Sequence, residues 1–181
     1  MKIIIHGGFF SESSQSHEVK LAKQNSLKDI AKKSYEFLQN NSALETVAYA
    51  VSLLEDDELY NAGIGSQIQS DGIIRMSAAL MDGETQKMSG VINIQDVKNP
   101  ILIAKELMKE DDRVLGGNGA KKYATENGFE DFSTEIPQRR KEYQEKLKTD
   151  GKGTVGAVAI DKHGKLAVAT STVGKGFEIP G

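Results

Sequence analysis

Three consecutive β-branched residues, Ile3, Ile4 and Ile5, are closed by Gly7-Gly8, a pattern that predicts a buried central strand. The polar stretch Ser11 to Ser16 reads as an exposed loop. Leu27, Ile30, Ala31 and Phe37/Leu38 then recur at helical spacing, with Lys and Asp between them, and predict one apolar helix face. Ser42-Ala-Leu-Glu45 is a capping box, in which the hydroxyl and the carboxylate can each satisfy a free backbone donor. It opens a helix whose predicted buried stripe is Leu44, Val47, Ala48, Val51 and Leu54.

Asp71-Gly72 is a hairpin signal between Gln67–Ser70 and Ile73–Met81, and Met88 to Ile94 reads as a further strand. Asn99-Pro100 predicts a helix start, with Asn as cap, Pro at the first helical position, and Ala104, Leu107 and Met108 on one face. A third helix spans about Ala120 to Asn127 and ends at Gly128, the residue type that tolerates a terminating left-handed conformation. From Pro137 to Asp150 the chain is almost without apolar anchors, which predicts a solvated helix or a mobile linker. The texture then changes. Val155 to Ile160 and Lys165 to Thr170 are small, β-rich runs joined by the turn Asp161-Lys-His-Gly164. Helices gather in the first two thirds with strands at both ends, so helices layered on antiparallel sheet are expected.

Composition narrows the function classes. The 181 residues are enough for one core and a single domain, and 38% apolar with 27% charged is ordinary for a globular chain. With 23 basic and 26 acidic side chains, the net charge of -3 leaves no electrostatic footprint for nucleic acid. There is no cysteine, which excludes disulfides, thiolate metal sites and a cysteine nucleophile. The histidines His6, His17 and His163 are scattered, unlike a metal cluster. No apolar run is long enough for a signal core or a membrane span, and a cytoplasmic location is expected.

Candidate chemistry concentrates at Asp150-Gly-Lys-Gly-Thr-Val-Gly156. Gly151-x-Gly153-x-x-Gly156 matches a dinucleotide-binding fingerprint, but that motif must follow a strand and open a helix, whereas here it follows a charged linker and opens a strand. Thr154 can be read instead as a nucleophile waiting to become an N-terminus. A threonine hydroxyl needs a base, and an N-terminal threonine supplies its own in the free α-amine, whose pKa lies near neutrality. Cutting Gly153–Thr154 would free that amine, and Gly153 tolerates the strain of attack on its carbonyl. On the residues alone, a Gly-Thr pair that merely starts a strand remains open.

Asp150-Gly-Lys-Gly-Thr154-Val-Gly-Ala-Val-Ala-Ile-Asp161, followed by Leu166-Ala-Val-Ala-Thr-Ser-Thr172, resembles the nucleophile region of the plant-type asparaginase and isoaspartyl peptidase family. Upstream, Ile5-His-Gly-Gly8, Leu54-Glu-x-x-x-Leu-Tyr-Asn-Ala-Gly-x-Gly65, Met81-Asp-Gly83 and Val97-Lys-Asn-Pro-Ile101 resemble further family motifs in the same order. The resemblance implies an α+β fold, the N-terminal-nucleophile hydrolase αββα sandwich of antiparallel sheets between helix layers, incomplete at the C-terminus. Residues 1–153 would be an α-region ending in a linker over about 137–153, and 154–181 the start of a β-region. It implies an autoprocessing threonine amidohydrolase acting on L-asparagine and β-aspartyl (isoaspartyl) peptides, a small-molecule or dipeptide substrate, no nucleic-acid or membrane partner, and a homodimer of processed α/β pairs.

By the same resemblance, Thr154 is the nucleophile, Thr172 the threonine that supports it, Asn61 a loop asparagine reaching the reacting site, and Gly153–Thr154 the autocleavage bond. Asn-Ala-Gly would equally suit a capped turn at Asn61. No catalytic cofactor is implied. A structural sodium ion is, held by main-chain carbonyls of Leu54, Glu55, Asp57, Tyr60, Ala62 and Ile64, and an ordinary tight turn without a metal is the other reading. The chain departs from the family at Val173, in place of a glycine, where a branched side chain would narrow the pocket or fill a slot. It departs also at Phe9-Phe10 and at Ser77, in place of an aspartate. The family's Arg-Val-Gly-Asp substrate grip and Thr-Gly oxyanion pair have no counterpart before Gly181. The chain as written is therefore expected to show no turnover, and an inactive fragment or degenerate relative serving as a binding partner is the alternative.

Overall fold

The computed structural model describes residues 1–8, 16–145, 154–173 and 179. Alternation organises its strands. β5 (Val155–Ile160) buries Val155, Ala157 and Ala159, and β6 (Leu166–Thr172) buries Ala167, Ala169 and Ser171, each turning the intervening residues outward. β2 (Met76–Asp82) buries Met76, Ala78 and Leu80 in the same way, and β3 (Met88–Ile94) pairs with it. With β1 (Lys2–Gly7) and the short β4 (Val114–Gly116) they form one sheet in the order β1-β5-β6-β2-β3-β4. All pairings are antiparallel except β3 with β4, which is parallel.

The helices are α1 (His17–Leu38), α2 (Ala43–Glu55), α3 (Pro100–Leu107), α4 (Gly117–Glu126) and α5 (Pro137–Gln144). Helix α2 lies on β5 and β6, and α3 on β2 and β3. Val47, Val51, Leu54, Ile101, Ile103 and Leu107 are wholly buried against the small residues of the sheet. Alanines on the strands let the helices approach closely, so a thin sheet face still gives a packed core. The α+β class expected from the sequence holds.

Several expectations are corrected. β1 is at an edge of the described sheet, pairing with β5 alone, and Ile4 is 72% exposed. A β-branched run reads alike in a central strand and in an edge strand with one apolar outer face. At Asp71-Gly72 the turn forms, with Gly72 at φ +85° and its N–H donating to the Gln69 carbonyl at 2.9 Å. Its predicted flanking strands do not: residues 67–70 form no strand and the pairing begins at Met76. The capping box is half made. Ser42 Oγ accepts from the Glu45 N–H at 3.2 Å, while the Glu45 carboxylate pairs with Lys105 of α3 instead. Asn99 likewise forgoes capping α3, and its Nδ2 donates to Asp56 Oδ1 at 3.0 Å. Pro137–Gln144 is a helix with Glu142 buried rather than a wholly solvated segment; 146–150 and the expected loop at 11–15 lie outside the described residues.

Candidate active site

The β5–β6 hairpin builds the candidate centre. Gly164, at φ +77°, lets the chain reverse, and the register Val155↔Ser171 sets Thr154 beside Thr172. Thr154 Oγ1 donates to Thr172 Oγ1 at 3.3 Å. That is long for a hydroxyl pair. Thr170 Oγ1 donates to the Val155 carbonyl at 3.0 Å, holding the strand that carries Thr154. Ser77 of β2 is the register partner of Thr172 on the other side. Gly153, the other half of the expected scissile pair, lies outside the described residues, as do Phe9 and Phe10.

Asn61 sits on the loop that leaves α2, 8% exposed. Its Oδ1 accepts from the Gln67 N–H at 3.0 Å and so closes the loop around the 3-10 turn Gly63–Gly65. Main-chain oxygens crowd this turn from inside. A Cβ on Gly63 would lie 2.1 Å from the Glu55 carbonyl oxygen, and one on Gly65 would lie 2.0 Å from that of Tyr60 and 2.6 Å from that of Glu58. Gly63 also needs φ +54°, a conformation glycine adopts without strain. The Asp57 carbonyl accepts from the Tyr60 N–H and the Ala62 carbonyl from the Gly65 N–H, each with lone-pair capacity left for another partner. Among the described residues no group of three His, Asp or Glu side chains could hold a metal, so any cation site here is of carbonyls.

Two titratable groups near the loop are strongly perturbed. Burial pushes the Glu55 carboxyl up to about 8, against the pull of Ser171, the Ile101 N–H and Asn99. Its Oε1 accepts from the Ile101 N–H at 3.2 Å, whereas Oε2 and the nearby Ser171 Oγ are buried without a well-formed hydrogen bond. Glu55 thus ties the end of α2 to the start of α3 under β6. Lys23 of α1 is lowered to about 8, by burial first and then by the charge of Arg139. The Tyr60 hydroxyl donates to the Lys23 carbonyl at 3.1 Å, packing α1 against the loop.

The asparaginase family's sequence profile matches residues 1–152 and 132–181. The chain belongs to the asparaginase family. It is 40% identical to an isoaspartyl peptidase/L-asparaginase of Synechocystis sp. over 98% of its length and 59% of that protein. A Nostoc sp. isoaspartyl peptidase/L-asparaginase is 39% identical over 98% of this chain and 62% of its own. A plant-type L-asparaginase of Pyrococcus abyssi is 34% identical over 95% and 63%. The chain therefore spans about three fifths of the length of these curated relatives. The family has the N-terminal-nucleophile hydrolase fold, and the mixed sheet with its helix layer is the portion of it described here.

Within this asparaginase fold the two departures in the described region have physical accounts. Val173 is buried in the core cluster, so the branched side chain fills a slot. Ser77 Oγ accepts from the Asn93 N–H at 3.1 Å, where β3 bulges at φ +54° and the β2–β3 register shifts. A hydroxyl there satisfies a donor that the bulge takes out of the ladder. Sequence reading missed three groups: Glu55 as a buried carboxyl, Asp161 as a cap, and Arg139 on the loop. None of these roles has a short motif, because the partners concerned, Ile101 for Glu55, Ala43 for Asp161 and Gly65 for Arg139, are distant in the chain. Among the described residues no helix is long and apolar enough to cross a membrane.

Proposed function

We propose that this chain is the nucleophile-bearing part of an autoprocessing threonine amidohydrolase that acts on L-asparagine and β-aspartyl peptides. The observation that carries the reading is the pair of hydroxyls at 3.3 Å, Thr154 and Thr172, at the strand start that the Gly-Thr-Val-Gly motif marks. In self-cleavage the Thr154 hydroxyl attacks the Gly153 carbonyl; the peptide C–N bond breaks as an ester forms, the hydroxyl proton passes to the nitrogen and the Thr154 α-amine is freed, and water then hydrolyses the ester to a Gly153 carboxylate and the Thr154 hydroxyl. That amine then takes the proton of its own hydroxyl, which attacks the side-chain amide of the substrate; the C–N bond breaks as the ester forms, ammonia or the peptide's amine leaves with that proton, and water hydrolyses the ester to release the aspartyl group. Thr172 orients the nucleophile, and Asn61 reaches the reacting centre.

A sodium ion in the Leu54–Ile64 loop belongs to the same proposal, with the carbonyls of Leu54, Glu55, Asp57, Tyr60, Ala62 and Ile64 as its holders. A hard monovalent cation suits a concavity of carbonyl oxygens, and its part is to stiffen the loop. A melting temperature unchanged between sodium and tetramethylammonium buffers would remove it. A homodimer of processed pairs is likewise proposed from family membership, and a cytoplasmic location from the hydropathy pattern. The deciding experiment is on the bond. Full-length protein should run as two fragments, the second beginning at Thr154, and Thr154→Ala should run as one. A mature N-terminus elsewhere would sink the assignment.

A further inference from the structure

Helix α5 poses a packing problem. Its sequence, Pro137-Gln-Arg-Arg-Lys-Glu-Tyr-Gln144, has no apolar stripe, so hydrophobic burial does not hold it in place. Polar contacts do: Arg139 reaches the loop that Asn61 closes, and Arg140 and Tyr143 reach the next turn, at Ser70 to Gly72. Arg139 Nε donates to the Gly65 carbonyl at 3.0 Å, and its Nη1 donates to Glu142 Oε2 at 2.9 Å. Their side chains are only 15% and 11% exposed, so this pair is better shielded than an ordinary surface ion pair. Gln138 Nε2 donates to Glu142 Oε1 at 3.0 Å, so Glu142 is gripped from both sides. One turn on, the Tyr143 hydroxyl donates to the Ser70 carbonyl at 3.2 Å, and Arg140 Nη2 to the Gly72 carbonyl at 3.4 Å.

We propose that Arg139 is a positioning residue for the chemistry at Thr154, clamping α5 to the Gly65 carbonyl and thereby holding the turn on which Asn61 is mounted. The mechanical link is short. Gly65 donates its N–H to the Ala62 carbonyl, and Gln67, two residues on, donates to Asn61 Oδ1. The Gly65 backbone is wedged against the Tyr60 and Glu58 carbonyls with no room for a methyl group, so a pull at its carbonyl moves the turn as a body. The fork of Arg139 spans Gly65 and Glu142 together, a bidentate reach that a lysine ammonium does not reproduce. In the sequence, helix α5 is followed after a few residues by the proposed cleavage bond at Gly153–Thr154. The inference rests on the proposed role of Asn61.

The test uses full-length protein, each variant assayed well below its own melting midpoint. In Arg139→Gln, cleavage at Gly153–Thr154 should slow about tenfold, since a displacement of about 1 Å costs one to two orders of magnitude in rate. Hydrogen exchange should quicken at the amides of Gly63 to Gln67 while α2 stays protected. Arg139→Lys should recover part of the rate, and Lys141→Gln, on the exposed side of α5, should match wild type. Wild-type cleavage by Arg139→Gln beside a slow Asn61→Ala would overturn the clamp and leave the Asn61 role standing. Wild-type cleavage by Asn61→Ala would remove that role and the inference with it. Protection lost throughout α2 would show a general structural effect, and also overturns the proposal.

Discussion

Thr154 and Thr172 are brought together by strand register alone: a slip of one residue in β5–β6 would turn one of them to the opposite sheet face. Their hydroxyls are therefore as well placed as the hairpin is rigid. Thr172 also faces Ser77 across β2, so it is flanked on both sides by hydroxyl-bearing residues. Thr172→Ala should slow self-cleavage by about 100-fold, the usual cost of deleting one well-placed donor at a reacting centre. Thr172→Ser keeps the hydroxyl and should recover most of that loss. A time course of fragment appearance on a denaturing gel measures both. Equal rates for Thr172→Ala and wild type would leave Thr172 as a strand residue and no more.

At the scale of elements, the hairpin is anchored by Asp161. Its Oδ1 accepts from the His163 and Lys165 N–H groups at 2.8 and 3.0 Å, and its Oδ2 accepts from the Ala43 N–H at 3.4 Å. One carboxylate thus shapes the β5–β6 turn and satisfies a free donor at the start of α2. Burial works against the charge, but the backbone donors at Lys165, His163 and Ala43 outweigh it and hold the carboxyl below its ordinary value of 3.8. A carboxyl lowered on folding stabilises fully above its unfolded pKa and loses that contribution as pH falls through the folded one. Asp161→Ala should cost about 1–2 kcal/mol at neutral pH, the range for a lost cap with buried donors left behind. In urea melts, the gap between wild type and variant should persist down to about pH 4 and close below it. A gap that stays constant into strong acid would show that the carboxylate charge contributes nothing.

For the whole molecule, the asymmetry of the sheet matters most. One face is covered by α2 and α3; the other presents Ile4, Val158, Leu166, Val168 and Met88, all exposed. Ile4, Met81, Met88, Val158 and Val168 line a shallow apolar hollow of about 370 Å³ on that side. A continuous apolar sheet face has the composition of a sheet-on-sheet interface, in which side chains of two sheets interdigitate. That agrees with the two-sheet sandwich of the family's fold. Arg139 and Glu55 act at this scale too, each joining segments between about 45 and 75 residues apart in the chain.

Local chemistry made much of this legible from the residues alone. Val155–Ile160 and Met88–Ile94 were predicted with their observed ends, since small or β-branched residues between turn signals leave few other choices. Ser42 and Gly128 marked helix ends because a hydroxyl acceptor or a glycine in the left-handed region answers a local backbone need. The ordered motifs around Asn61, Thr154 and Thr172 pointed to the family. Tertiary structure decided the rest. It put Ile3–Ile5 at an edge of the described sheet, because neighbour order in a sheet depends on partners that periodicity does not encode. It took Glu45 and Asn99 from their local caps, because Lys105 and Asp56 offered partners across the fold. It also docked an apolar-poor helix through Arg139 onto a carbonyl 74 residues away in sequence, a contact that no local pattern could announce.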